Sequence, residues 1–97
     1  MIMTQKEYHR QINQRFYAYV EENFPEYTID SSEGYGRIYL IPKHGYGDSI
    51  EYHQSRHDLC CMNSASESTM ENIKVMENYI NNNIIPFLNL LKENLAS

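Results

Sequence analysis

The chain is predicted to fold as an α+β domain: an N-terminal helix, a three- to four-stranded antiparallel β-meander, and a long C-terminal helix kinked or broken near Pro86. Three observations predict it. Apolar residues recur at helical spacing on both sides of the middle of the chain. The middle itself, from Tyr27 to Met62, breaks into short runs of β-branched and aromatic residues separated by turn clusters. The connections between those runs are only a few residues long, which favours antiparallel neighbours. All 97 residues are read as one domain, near the small end of what buries a core without metals or disulfides.

The first helix is announced by a capping box, Thr4 with Glu7, flanked by Met3 and Tyr8 at the staple positions. Tyr8, Ile12, Phe16, Tyr19 and Val20 then form one apolar stripe to about Asn23, with Tyr17 off it. Pro25 ends the helix, because proline disfavours helical geometry in the residue before it. Tyr27–Ile29 alternates as a half-buried strand should, with Glu26 and Asp30 on the opposite face. Arg37–Ile41 is apolar on both faces, so a central position is expected, closed by Pro42. Ile50–Tyr52 points Ile50 and Tyr52 inward, and Leu59–Met62 is the fourth candidate strand. Gly34-Tyr35-Gly36 and Gly45-Tyr46-Gly47 repeat one tripeptide at two of the turns.

Overlapping capping boxes, Ser64 with Glu67 and Ser68 with Glu71, start the last helix between Ser64 and Thr69. Its expected buried face is Met70, Ile73, Met76, Ile80, Ile84, Leu88, Leu91 and Leu95. Pro86 interrupts that run at a cost of about 3 kcal/mol in a regular helix. Thirty unbroken residues would run ~45 Å, against ~17–20 Å for a typical strand. Either the tail folds back at Pro86, or the end of the helix overhangs and needs a partner surface. Ile84, Leu88, Leu91 and Leu95 are then the candidate oligomer interface, and a homodimer the expected product.

Composition narrows the function classes. With 41% hydrophobic and 22% charged residues the chain is globular. A net charge of −5 argues against direct nucleic-acid binding and against anionic membranes. No apolar run approaches the ~18 residues of a membrane span, and no apolar signal region opens the chain. Cys60 and Cys61 are neighbours, with Cα atoms ~3.8 Å apart, closer than the ~4.4 Å lower end for an ordinary disulfide. Reduced thiols suit the cytoplasm, which is the expected location.

The densest set of ligand-type residues is His53, His57, Cys60 and Cys61, with His44 nearby. Its spacing matches no zinc-finger pattern, and cysteines on a strand diverge. A Cys–His nucleophile would need His57 brought onto Cys60 by a bulge. No phosphate-cradling loop is present, because Gly45-Tyr46-Gly47 lacks the Lys-Ser/Thr and the helix that should follow. No catalytic residue, metal or cofactor is therefore expected.

Two features remain. Glu21, Glu22, Glu26, Asp30 and Glu33 fall in a stretch without Lys or Arg, while acids and bases outside it balance at eight each. The whole net charge thus lies in that segment, with Glu21, Glu22 and Glu26 around the corner between helix and strand and Glu33 farther off. At a rise of ~3.4 Å per residue, Glu26 and Asp30 lie ~14 Å apart, which makes the strand a candidate phosphate mimic. Second, nine tyrosines without a tryptophan exceed the needs of one small core. Tyr35 and Tyr46, held between glycines on turns, are candidate contact residues. The expected function is a small acidic, non-enzymatic inhibitor or regulator that occupies a basic, nucleic-acid-binding type of surface on a partner protein. In general build such a chain resembles phage-encoded anti-restriction and anti-CRISPR inhibitors and toxin-immunity proteins. The alternative is a self-associating structural or regulatory subunit using the C-terminal helix; a metal or thiol enzyme at the His/Cys cluster comes third.

Overall fold

The computed structural model describes residues 4–30, 36–45, 47–54, 56–61 and 65–92. The element order is α1 (Gln5–Asn23), β1 (Tyr27–Asp30), β2 (Arg37–Pro42), β3 (Ile50–His53), β4 (Asp58–Cys61), α2 (Glu67–Tyr79), a π-helical turn (Ile80–Ile84) and α3 (Ile85–Lys92). The four strands form one antiparallel sheet in the order β1-β2-β3-β4. This is the α+β meander that the short connections predict, with the fourth strand present.

The caps show how local chemistry sets the helix ends. Thr4 Oγ1 accepts the Glu7 backbone N–H at 3.2 Å, but the Glu7 carboxylate turns to Arg10 and Gln11 rather than back to the cap. At α2 the cap is Ser66, whose Oγ accepts the Thr69 N–H at 3.3 Å. Ser68 does not take that role, and Ser64 lies outside the described residues. The reason lies in another loop: Asp48 Oδ2 accepts the Ser66 backbone N–H at 2.8 Å, supplying from outside the helix what a box acid supplies from within.

The helices share one side of the sheet. Tyr8, Ile12, Phe16 and Val20 of α1 meet Tyr27, Ile38, Leu40, Ile50 and Tyr52 of the sheet, and Ile73, Met76, Ile80 and Ile84 close the core. Phe16 stacks on Tyr52 with ring centroids 4.3 Å apart. Ile50 and Tyr52 point inward as their parity predicts. No described element covers the other side of the sheet, and the apolar outer residues of β2 are not buried: Tyr39 is half-buried and Ile41 is 36% exposed. β2 is central in order without being covered on both faces.

The C-terminal helix departs from expectation at Met70 and is interrupted where expected. Met70 is 51% exposed, and Thr69 takes the buried position instead, its hydroxyl 3.0 Å from Ser66 Oγ. Near Pro86 the α-helix is interrupted as predicted, by a π-helical turn over Ile80–Ile84 that joins α2 to α3. Met76, Ile80, Ile84 and Leu88 follow at steps of four, and each such step overshoots a full α-helical turn by about 40°. The wider π turn over Ile80–Ile84 absorbs that excess, with the Ile85 N–H bonding back to Ile80 O. It also resets the backbone register just before Pro86, which has no N–H to give. The helix runs past the sheet because α1 receives it: Tyr8 Oη donates to Leu88 O at 3.3 Å, and the Arg15 guanidinium lies 4.0 Å from the centre of the Phe87 ring.

Candidate functional site

The acidic corner is built where α1 ends and β1 begins. Glu21 and Glu22 are exposed on the last turn of α1, where no basic residue offsets the negative end of the helix dipole. Glu26 is exposed just before β1, and Asp30 is half-buried at its far end, in register with Tyr39. Glu33, Tyr35 and Tyr46 lie outside the described residues. One cation missing from the sequence count joins the corner: the Lys43 N–H donates to Glu26 O at 2.8 Å, carrying the β1–β2 ladder one residue further. Opposed residues of antiparallel strands share a face, so Lys43 stands across from Glu26. The corner is acidic but not free of positive charge.

The uncovered face of the sheet carries a second polar array, ordered by strand register. Asp30, Tyr39, Glu51 and Cys60 form one row across the four strands, and Arg37, His53 and Asp58 form the next. His53 sits between carboxylates, Nε2 at 2.9 Å from Glu51 Oε2 and Nδ1 at 2.8 Å from Asp58 Oδ1. Arg37 reaches Glu51 at 3.5 Å, and Arg56 reaches Asp58 at 3.5 Å. Burial alone would raise the Glu51 carboxyl, but the His53 hydrogen bond and the Arg37 charge hold it below the ordinary value.

Inside the core lies a polar relay with no counterpart in the sequence reading. Tyr52 Oη stands 3.1 Å from Asn13 Oδ1 and 2.9 Å from His57 Nδ1. The amide oxygen only accepts, so the tyrosine proton goes to Asn13 and the His57 Nδ1–H donates to the tyrosine oxygen. Nε2 of His57 is then a bare lone pair, and it has no hydrogen-bond partner among the described residues. The His9 ring stacks on His57 at 5.4 Å. His57 is 2% exposed. Burial first, and the neighbouring His9 charge second, pull it down to about 4, against a weaker upward effect of Asp58. Burial pushes the Tyr52 hydroxyl up, far from ionisation at neutral pH. His57 also adopts φ 56°, a left-handed conformation unusual for a histidine.

No family model, curated protein or solved structure matches the chain.

The remaining candidates separate. His57 is in the core, His53 is on the outer face, Cys60 is exposed there, and Cys61 is half-buried at the sheet edge. Both cysteines are free thiols. Among the described residues no three His, Cys, Asp or Glu side chains converge closely enough to hold a metal ion. Ile84, placed in the oligomer interface by its spacing, is 0% exposed inside the protein's own core, so it offers nothing to a second copy. Leu88 is half-buried with its carbonyl taken by Tyr8. The side chain of Leu91, and Leu95 altogether, lie outside the described residues. Among the described side chains of α3, Leu90 is exposed at 63%. No helix among the described residues is long and apolar enough to cross a membrane.

One signal for the relay was present in the sequence. His9, Asn13 and Tyr17 recur at four-residue steps beside the apolar stripe of α1, a polar line on the flank of a buried face. Tyr17 sits half-buried there, its hydroxyl accepting from Gln54 Nε2 at 2.7 Å.

Proposed function

We propose that this protein is a small acidic, non-enzymatic inhibitor or regulator that occupies a basic surface of a partner protein. The observation that carries the reading is the exposure of Glu21, Glu22 and Glu26 together at one corner, with Asp30 leading from it onto the uncovered sheet face. Like-charged side chains clustered on a small body raise the encounter rate with an oppositely charged surface and set its orientation. Glu33, Tyr35 and Tyr46, outside the described residues, remain partner-contact candidates by sequence alone. A partner whose own ligand is nucleic acid has the basic surface this requires, and the carboxylates of Glu26 and Asp30 would stand in for phosphates there. In general build the chain resembles anti-restriction, anti-CRISPR and immunity proteins, and the free thiols of Cys60 and Cys61 fit a reducing cytoplasm.

Self-association is the second reading, supported by Leu90 on the outer side of α3. An affinity pull-down from the native host at low and high salt separates the two. Nucleic-acid-binding proteins retained at low salt and lost at high salt support the first reading. Recovery of the chain alone, insensitive to salt, contradicts it.

A further inference from the structure

His9, Asn13 and Tyr17 follow one another at four-residue steps along α1, which puts them on one line of the helix, each about 6 Å from the next. They line a concavity of about 580 Å³, within the usual range for small-ligand sites. Lys6 and Arg10 line it from the same helix, and Gln54 from just beyond β3. Gln54 Nε2 donates to Tyr17 Oη at 2.7 Å, which ties the sheet to the helix there. None of the described lining residues is Asp or Glu. Asn13 decides what the concavity can hold. It is 6% exposed, and its Oδ1 is committed to the Tyr52 proton. Its amide N–H groups have no hydrogen-bond partner among the described residues, and the little surface the side chain keeps opens into the concavity. Tyr17 is placed alike: its oxygen accepts from Gln54, while its O–H has no acceptor among the described residues. Burial pushes that hydroxyl up, so it keeps its proton at neutral pH. Donors left unmet on side chains this deeply set call for an acceptor.

We infer that this concavity binds the phosphate group of a small organic molecule, which accepts from the Asn13 amide and the Tyr17 hydroxyl and is faced by the Lys6 ammonium. The donors are set in advance by the buried relay. His57 Nδ1–H donates to the Tyr52 oxygen, the Tyr52 proton goes to Asn13 Oδ1, and the Asn13 N–H groups are left for the ligand. Lys6 is exposed and has no ion pair among the described residues, so its charge is available. The choice of phosphate over carboxylate follows from Arg10, whose Nε and Nη2 already grip the Glu7 carboxylate. The flat paired grip that suits a second carboxylate is therefore taken. Single N–H and O–H donors and one ammonium remain, and these suit the tetrahedral oxygens of a phosphate. The inference goes beyond the partner-surface reading and does not depend on it. Lys6 and Glu22 lie ~24 Å apart along the axis of α1, several times the ~8 Å over which salt screens, so the acidic corner does not repel an anion here.

The test titrates the ¹⁵N-labelled full chain with phenyl phosphate and, in separate arms, with inorganic phosphate, benzoate and sodium chloride at equal ionic strength. Saturating shifts of the Asn13 side-chain NH₂ and of the Tyr17 and Gln54 backbone amides are expected for phenyl phosphate, with Kd on the order of millimolar. Asn13→Asp keeps an oxygen for the Tyr52 proton and replaces the free donor by a second acceptor, so it should abolish the shifts. Lys6→Gln, on the surface and outside the core, should weaken phenyl phosphate by about fivefold, with the rest of the spectrum unchanged as the check on folding. Should Asn13→Asp fail to fold, the lysine variant decides alone. Inorganic phosphate that shifts the same amides supports the inference and locates recognition in the anion itself. Shifts that do not saturate, that sodium chloride reproduces, or that Lys6→Gln leaves at full strength overturn it. Benzoate bound as tightly as phenyl phosphate overturns the assignment to phosphate.

Discussion

Acid should weaken this protein through His57 before it weakens it through the carboxylates. The ring is neutral in the fold and pulled down to about 4 from an ordinary 6.5, so the unfolded chain binds a proton that the folded chain refuses. A folded-state value below the unfolded one gives stability that is fully present above pH 6.5 and is lost as the pH falls toward 4. Full expression of that shift removes about 2 kcal/mol by pH 5, and solvent screening trims it to about 1–2 kcal/mol. Against a total of ~5–15 kcal/mol for a domain this is a visible fraction. The assay is urea unfolding at pH 7, 6 and 5, comparing the wild type with His57→Asn. Asparagine tolerates the left-handed backbone at this position and does not titrate. The wild type should lose about 1–2 kcal/mol more than the variant between pH 7 and pH 5, with equal m-values. Parallel curves for the two proteins would refute the buried neutral ring.

Tyr52→Phe should cost about 1–3 kcal/mol in the same assay, because it strips both Asn13 Oδ1 and His57 Nδ1 of their buried partner; a neutral result would mean the relay is open to water. Pro86→Ala should change stability by less than about 1 kcal/mol, against the roughly 3 kcal/mol a proline costs in a regular helix, because the π turn already accommodates the missing N–H; a gain near 3 kcal/mol would show stored strain. Ile84→Ala should cost about 2–5 kcal/mol as a core truncation, while Leu90→Glu should leave stability near wild type and any dimer, measured by light scattering, dissociated. The opposite pattern would move Ile84 to the surface.

Much of the fold was legible because its signals are local. Parity put Ile50 and Tyr52 inward, Thr4 marked the start of α1, and four short runs with short connections made a meander of four strands. What escaped needed information from elsewhere in the chain. Ser66 caps α2 because Asp48, eighteen residues earlier, reaches its N–H. The π turn answers a run of four-residue steps that reads in sequence as an ordinary amphipathic helix. A left-handed backbone is signalled by Gly or Asn, and His57 is neither. The acidic segment was visible as composition, but the placement of Lys43 opposite Glu26 depends on strand register, which no single segment encodes. The same holds for the row Asp30–Tyr39–Glu51–Cys60, whose members are scattered over thirty residues and meet only in the sheet.

Association kinetics with the partner test the central claim most directly. Glu21→Lys combined with Glu26→Lys inverts the corner without touching the core, since both side chains are exposed. Screening acts over ~8 Å at physiological salt, so the measurement is made at low ionic strength and repeated as salt rises. The account predicts association slowed by about tenfold or more, a loss that shrinks with salt, little change in dissociation and an unchanged melting temperature. A doubly reversed protein that associates as fast as the wild type would contradict it, and Glu21, Glu22 and Glu26 would then be a solubilising surface.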